Sequence, residues 1–212
     1  MKKILYWAFE GNEGTGKTSL SKKFAERCGA VWTYEPNMET DELCFLKKLA
    51  LNKNDKVSGY ARECALLANR IIHQDNNIIP LLGNLNTIVS DRSFLSGMVY
   101  AKLKSLSFDT FMEMSKNLNI SKYPDVIVFC RNKERKIVKN HADIYDHADQ
   151  ETLDKIDYYY EEALSYIQNK SDTKKISIIE FDNDFSKSLE FNLEKLVKEA
   201  AQVCSCTSWK PD

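Results

Sequence analysis

Continuous apolar runs alternate along the chain with stretches whose apolar residues recur every three or four positions. Ile4 to Phe9 is an unbroken apolar and aromatic run that ends in Glu10-Gly11, the pattern of a parallel strand buried on both faces. From Thr18 the period changes. Leu20, Phe24 and Ala25 fall on one side of a helix, Lys22, Lys23 and Glu26 on the other, and Gly29 can close it in a left-handed cap. Val31 to Tyr34 predicts a second strand, closed by Glu35-Pro36. Residues 38–84 predict mostly helix. One apolar stripe holds Leu43, Leu46, Leu49 and Ala50, and another runs from Ala61 through Cys64, Ala65 and Leu67 to Ile72. Thr87 to Ser90, Val126 to Cys130 and Lys175 to Phe181 predict further strands. Helices are expected over about 96–103, 108–118, 153–167 and 189–203. Strands alternating with helices predict an α/β fold in three layers, a parallel five-stranded sheet with helices on both faces.

Composition narrows this picture. The 212 residues are 43% hydrophobic, enough for one sizeable core, so residues 1–212 are expected to form a single domain. Residues 132–150, the most charged and least apolar stretch, are the expected lid, and about 204–212 a flexible tail. A net charge of −1 argues against long nucleic acid as partner. The six cysteines are scattered and show no zinc spacing; Cys64 and Cys130 read as buried thiols. His73, His141 and His147 read as solvated. No apolar run has the length of a membrane span and no signal peptide is visible, so a soluble, cytoplasmic protein without a membrane partner is expected.

The chemistry starts at Gly11-Asn12-Glu13-Gly14-Thr15-Gly16-Lys17-Thr18, which fits G-x-x-x-x-G-K-S/T between a strand and a helix. The glycines let the backbone curl around phosphate with its N–H groups inward, and the following helix adds its dipole. Lys17 is expected on the β and γ phosphates of ATP, and the Thr18 hydroxyl on Mg²⁺. The domain is therefore a P-loop NTPase fold. In an open parallel sheet ligands lie beyond the carboxyl ends of the strands. Those ends carry Glu10, Glu35-Pro36, Asp91-Arg92 and Arg131, charged groups that can converge on one cleft.

The ordered set of motifs resembles the thymidylate kinase family, with features of the related deoxynucleoside kinases. Glu10 to Ser19 is similar to the family's E-G-x-D-G-x-G-K-S/T, with Glu13 in place of Asp. Thr33-Tyr34-Glu35-Pro36 is similar to T-R-E-P, and Leu66 to His73 to the helix F-A-A-D-R-x-x-H. Asp91 to Tyr100 is similar to D-R-Y-x-x-S-S-x-A-Y, Tyr123 to Phe129 to the P-D strand, and Asp143 to Asp146, more weakly, to the end of the lid. The resemblance covers roughly residues 4–165. It implies transfer of the γ-phosphoryl group of ATP to a deoxynucleoside monophosphate such as dTMP, with Mg²⁺, by a chain whose relatives are often homodimers.

Carried onto this sequence, the resemblance implies a donor site at Gly11, Asn12, Glu13, Gly14, Thr15, Gly16, Lys17, Thr18 and Ser19, helped by Arg131 and Arg135. The acceptor would meet Glu35, Leu66, Arg70, Arg92, Ser96, Gly97 and Tyr100. Lys17, Arg92, Glu13 and Glu35 would carry the reaction, and Thr18 with Asp91 the metal. There are departures. Tyr34 replaces an arginine, Leu66 a stacking phenylalanine, Gly97 a polar residue and Ile144 a lid arginine. The Leu66 and Gly97 changes predict a roomier base pocket and a looser choice of base. Three other readings stay open: a deoxynucleoside kinase with Glu35 as base, a P-loop module that binds nucleotide without catalysis, and an NTPase switch that uses water.

Overall fold

The computed structural model describes residues 5–51, 56–120, 122–132, 149–173 and 175–205. Five parallel strands form one sheet: β1 (Tyr6–Glu10), β2 (Val31–Tyr34), β3 (Ile88–Asp91), β4 (Val126–Arg131) and β5 (Ser177–Asp182), in the order β2-β3-β1-β4-β5. β1, apolar up to its terminal Glu10 and buried throughout, is central because both of its faces must be covered. Trp7 and Phe9 point to one side, where α1 (Lys17–Cys28) and α8 (Leu189–Ser205) supply Leu20, Phe24, Leu193 and Leu196. Ala8 points to the other, with Ile127 and Phe129 of β4. There α3 (Gly59–His73), α5 (Phe94–Leu103), α6 (Phe108–Asn117) and α7 (Gln150–Asn169) close a second core through Leu67, Met98, Phe111 and Tyr160. Truncating any of the large buried side chains in these layers to alanine costs about 2–5 kcal/mol. Two further helices, α2 (Asp41–Leu51) and the short α4 (Ile79–Gly83), lie before β3.

The expected α/β sheet and its order of elements are present. The boundaries differ where local polar chemistry decides them. α5 starts at Phe94 rather than near residue 96, because the Ser93 hydroxyl caps it by accepting from Leu95 N. α7 starts at Gln150, inside the expected lid, because Asp149 accepts from Thr152 N. The long helical region before β3 contains a π-helical turn, Gln74–Ile78. Pro80, which follows it, has no N–H for an ordinary helical bond, and Ile79 N instead reaches Gln74 O. α8 runs two residues into the expected tail; residues 206–212 lie outside the described residues, as do 133–148 of the lid, with Arg135, Ile144, His141 and His147.

Two expectations about single side chains are corrected. Cys64 is exposed, although Cys130 is buried in β4 as expected. His73 is fully buried, because the last turn of α3 packs against Thr33 and Glu35. Among the described residues no helix is long and apolar enough to cross a membrane.

The sheet order also locates the site. The chain leaves β1 toward β2 on one side and leaves β3 toward β4 on the other. The carboxyl ends of β1 and β3, Glu10-Gly11 and Asp91-Arg92, therefore border the crevice where ligands lie in such sheets.

Candidate active site

The phosphate loop is shaped by contacts that leave no room for side chains. Gly11 and Gly16 have φ of 141° and 77°. A Cβ on Gly11 would run into the Cys130 carbonyl, and one on Gly16 would lie 2.5 Å from Asn183 Nδ2 and 2.9 Å from Phe185. Asn12 braces the loop from behind. Its Nδ2 donates to Leu153 O and Asp157 Oδ1 of α7, each at 2.8 Å, while its Oδ1 accepts from Glu13 N. Lys17 is buried, with Nζ donating to Asn12 O at 3.2 Å, and this burial pulls its pKa below that of an ordinary lysine.

Thr18 Oγ1 donates to Asp91 Oδ2 at 2.5 Å, and Asp91 Oδ1 is buried with no hydrogen-bond partner among the described residues. A hydroxyl beside a carboxylate with a spare oxygen is a hard donor set, and it fits a divalent cation such as Mg²⁺.

Arg92 takes a left-handed conformation, φ 73°, a strained choice for a residue with a side chain. That turn throws its guanidinium back across the crevice. Nη1 donates to Gly11 O at 3.3 Å, Ser96 Oγ at 3.1 Å and the Tyr160 hydroxyl at 3.1 Å, and Nη2 pairs with Glu13. The Tyr100 ring lies 5.5 Å beneath it. Arg92 holds the Glu13 carboxyl below the usual carboxylate range, against the effect of burial, and Lys17 adds to this.

Glu10 ties β1 to α5. It accepts from Ser93 Oγ at 2.7 Å, Ser96 Oγ at 2.5 Å and Ser96 N at 3.3 Å, and burial raises its pKa in spite of these bonds. Glu35 is likewise buried. Burial pushes its carboxyl up, but Arg70 Nε at 2.7 Å and His73 Nδ1 at 3.4 Å outweigh that and leave it lowered. His73 Nε2 in turn lies 2.7 Å from Thr33 Oγ1, so a buried polar chain runs from β2 through α3 to Arg70.

The structure brings the sequence candidates together in two groups. Glu35, Leu66, Arg70, Arg92, Ser96, Gly97 and Tyr100 line one cavity of about 590 Å³. Gly14, Gly16, Lys17, Thr18 and Ser19 line another of about 1030 Å³, faced by Asn183, Phe185 and Lys187 from the segment after β5. Glu13 lines both, so it marks the junction. Arg131 lines neither. As the last residue of β4 it turns toward β5 and α7, pairing with Glu180 at 2.8 Å and Glu161 at 2.7 Å. The expected vacancy at Gly97 is also corrected: the edge of the Phe111 ring and the Arg70 guanidinium fill it.

Sequence reasoning did not give roles to Glu10, Tyr160, Asn183 or Phe185. Glu10 was recognisable as a carboxylate at the end of a buried strand. Asn183 and Phe185 follow β5, and only the sheet order puts that end beside the phosphate loop.

The family model for thymidylate kinase matches residues 9–189. A thymidylate kinase of Helicobacter pylori (strain Shi470) is 31% identical over 170 residues, covering 80% of this chain and 81% of its own. The thymidylate kinase of Campylobacter lari is 29% identical over 204 residues, covering 92% and 98%. Against other relatives, such as the thymidylate kinase of Helicobacter pylori (strain ATCC 700392 / 26695), 34% identical over 112 residues, the match covers 52% of this chain and spans 57% of the relative's length. The crystal structure of thymidylate kinase from Ehrlichia chaffeensis superposes with a TM-score of 0.67 at 19% identity, over 92% of this chain and 97% of that one, which shows a common fold. Family model and relatives agree with the crevice between β1 and β3: this chain belongs to the thymidylate kinase family.

Proposed function

We propose that this protein transfers the γ-phosphoryl group of ATP to dTMP. The observation that carries the reading is the pair of cavities that meet at Glu13 beside Arg92. One is walled by a phosphate loop, the other by arginines and apolar side chains. A donor and an acceptor bound in them have their phosphates at a common boundary, the arrangement that in-line transfer needs.

In this reading Lys17 spans the donor's β and γ phosphates, and Arg92 neutralises charge on the transferring group. Thr18 and Asp91 would hold Mg²⁺, which when bound offsets phosphate charge. Arginine suits Arg92's place because its planar fork matches phosphate oxygens. Leu66 and Tyr100 give the acceptor's base and sugar an apolar bed, with Arg70 as the polar group behind it.

A nucleoside acceptor would need a base to take its hydroxyl proton, and Glu35 is the carboxylate placed for that in the rival reading. Glu35 is committed to Arg70 and His73, and its proton affinity is lowered, which makes it a poor base. The monophosphate reading is favoured on this ground. The test is a phosphate-transfer screen with ATP and Mg²⁺ over nucleosides and their monophosphates. Turnover with dTMP well above that with thymidine is expected. Transfer to nucleosides alone, or ATP binding with no transfer to either, would replace this reading with one of its rivals.

A further inference from the structure

Gly97 lies in the second turn of α5, at an ordinary helical position with no positive φ to require glycine. An interior helical glycine is disfavoured relative to alanine, so a packing reason should exist. The surroundings supply it. A Cβ at residue 97 would lie 2.8 Å from Arg70 Nη1 and 3.0 Å from Nη2, and 2.7 Å from Phe111 Cζ. The contacts to Phe111 Cζ and Arg70 Nη1 are shorter than a Cβ tolerates, and that to Nη2 is tight enough that the guanidinium would have to shift.

We propose that Gly97 is a positioning residue: its missing side chain is the seat of the Arg70 guanidinium, and it sets where that cation stands in the acceptor cavity. The other restraints on Arg70 agree. Nε is anchored to Glu35 at 2.7 Å, Nη2 reaches Ser93 O at 3.4 Å, and the Phe111 ring lies 6.0 Å from the guanidinium carbon. Held at those points, both guanidinium Nη atoms lie in the space that a side chain at residue 97 would take. Nη1 is then left buried, at the cavity wall, with no hydrogen-bond partner among the described residues. A buried donor without a partner is costly unless a ligand completes it. Any side chain at residue 97 pushes the guanidinium off this seat and toward the cavity, where it takes acceptor volume and misaims Nη1. The same displacement strains the buried Glu35 pair behind it.

This inference rests on the acceptor reading given above, and the experiment separates the two. Gly97→Ala is made in the wild type, in Arg70→Ala and in Phe111→Leu, which relieves the ring contact while keeping an apolar side chain in the core. Initial rates are measured with ATP and dTMP. In the wild type Gly97→Ala should raise the acceptor KM at least about tenfold, the scale of one misplaced buried hydrogen bond, with kcat within about threefold and the ATP KM unchanged, since the phosphate loop is untouched. In Arg70→Ala the same change should add less than about twofold, because its target is gone. In Phe111→Leu the full loss should persist. An equal loss with and without Arg70, a loss that disappears in Phe111→Leu, or an unchanged acceptor KM would overturn the proposal. If the wild type transfers to no monophosphate, the acceptor reading fails by itself. The seat is then read by thermal unfolding. The fall in Tm on Gly97→Ala should persist in Phe111→Leu and shrink in Arg70→Ala, and the reverse pattern refutes it.

Discussion

In the proposed reaction the surroundings of Lys17 would set a measurable property of nucleotide binding. Burial disfavours its ammonium form, so its pKa lies below the ordinary 10.5 in the absence of nucleotide. As pH rises, Lys17 loses its charge before an ordinary lysine would, and with it the attraction for β and γ phosphates. Bound phosphate supplies negative charge and pulls the pKa back up. The profile of kcat/KM for ATP, which reports free enzyme, should therefore fall on the alkaline side with an apparent pKa below 10.5, while that limb in kcat moves to higher pH. Identical limbs in the two profiles would show that another group controls them. The lysine itself was plain from the sequence, because spacing in a phosphate loop is nearly sufficient. Arg70 was named from its motif, but its seat on Gly97 was not. The two meet across α3 and α5, and no local pattern encodes which side chain fills a gap in a distant helix. His73 was misread for the same reason, since a lone histidine at the end of a helical stripe says nothing about a Thr33 or Glu35 arriving from another strand.

At the level of elements, strand ends and helix starts are joined by buried carboxylates. Glu10 at the end of β1 receives three hydrogen bonds from the first turns around α5, from Ser93 and Ser96. Burial nevertheless raises its pKa above the usual 4.5, so the folded protein binds this proton more tightly than the unfolded chain does. Stability from this group is then greatest below the unfolded pKa and declines as pH rises through the raised folded value. Glu13 and Glu35 behave in the opposite way. Their lowered values give stability that is present above about pH 4.5 and is lost as pH falls through the folded pKa. In Glu10→Gln the declining component should be absent. Measured by thermal unfolding across pH 4 to 8, the Tm of the wild type relative to this variant should fall as pH rises. A constant difference would mean that the three hydrogen bonds already hold Glu10 at the ordinary carboxylate value. The elements themselves were largely legible, since continuous apolar runs gave the strands and amphipathic periods the helices. What escaped were the features decided by single polar contacts: the early start of α5 at its Ser93 cap, and the π turn that accommodates Pro80.

On the scale of the molecule, the order β2-β3-β1-β4-β5 brings the two cavities, proposed for donor and acceptor, to one crevice, where Glu13 lines both and pairs with Arg92. That pairing bears on water. With no acceptor present, Arg92 is occupied by Glu13, Gly11 O, Ser96 and Tyr160, so its charge is partly spent within the protein. An acceptor phosphate brings two negative charges beside Arg92 and competes with the Glu13 carboxylate for it. In the proposed reaction that competition would free Arg92 for the group in transfer. Removing one such stabilising donor from a transition state costs about 10²–10³ in rate, and a water molecule in the acceptor cavity carries no charge with which to recruit Arg92. ATP hydrolysis by this protein without acceptor should therefore be at least about a hundredfold slower than transfer to dTMP under the same conditions. Steady-state ADP release with and without dTMP measures the ratio. Rapid hydrolysis that dTMP fails to stimulate would mean that Arg92 is already catalytically placed in the empty crevice, and that the protein uses water rather than a nucleotide as its acceptor.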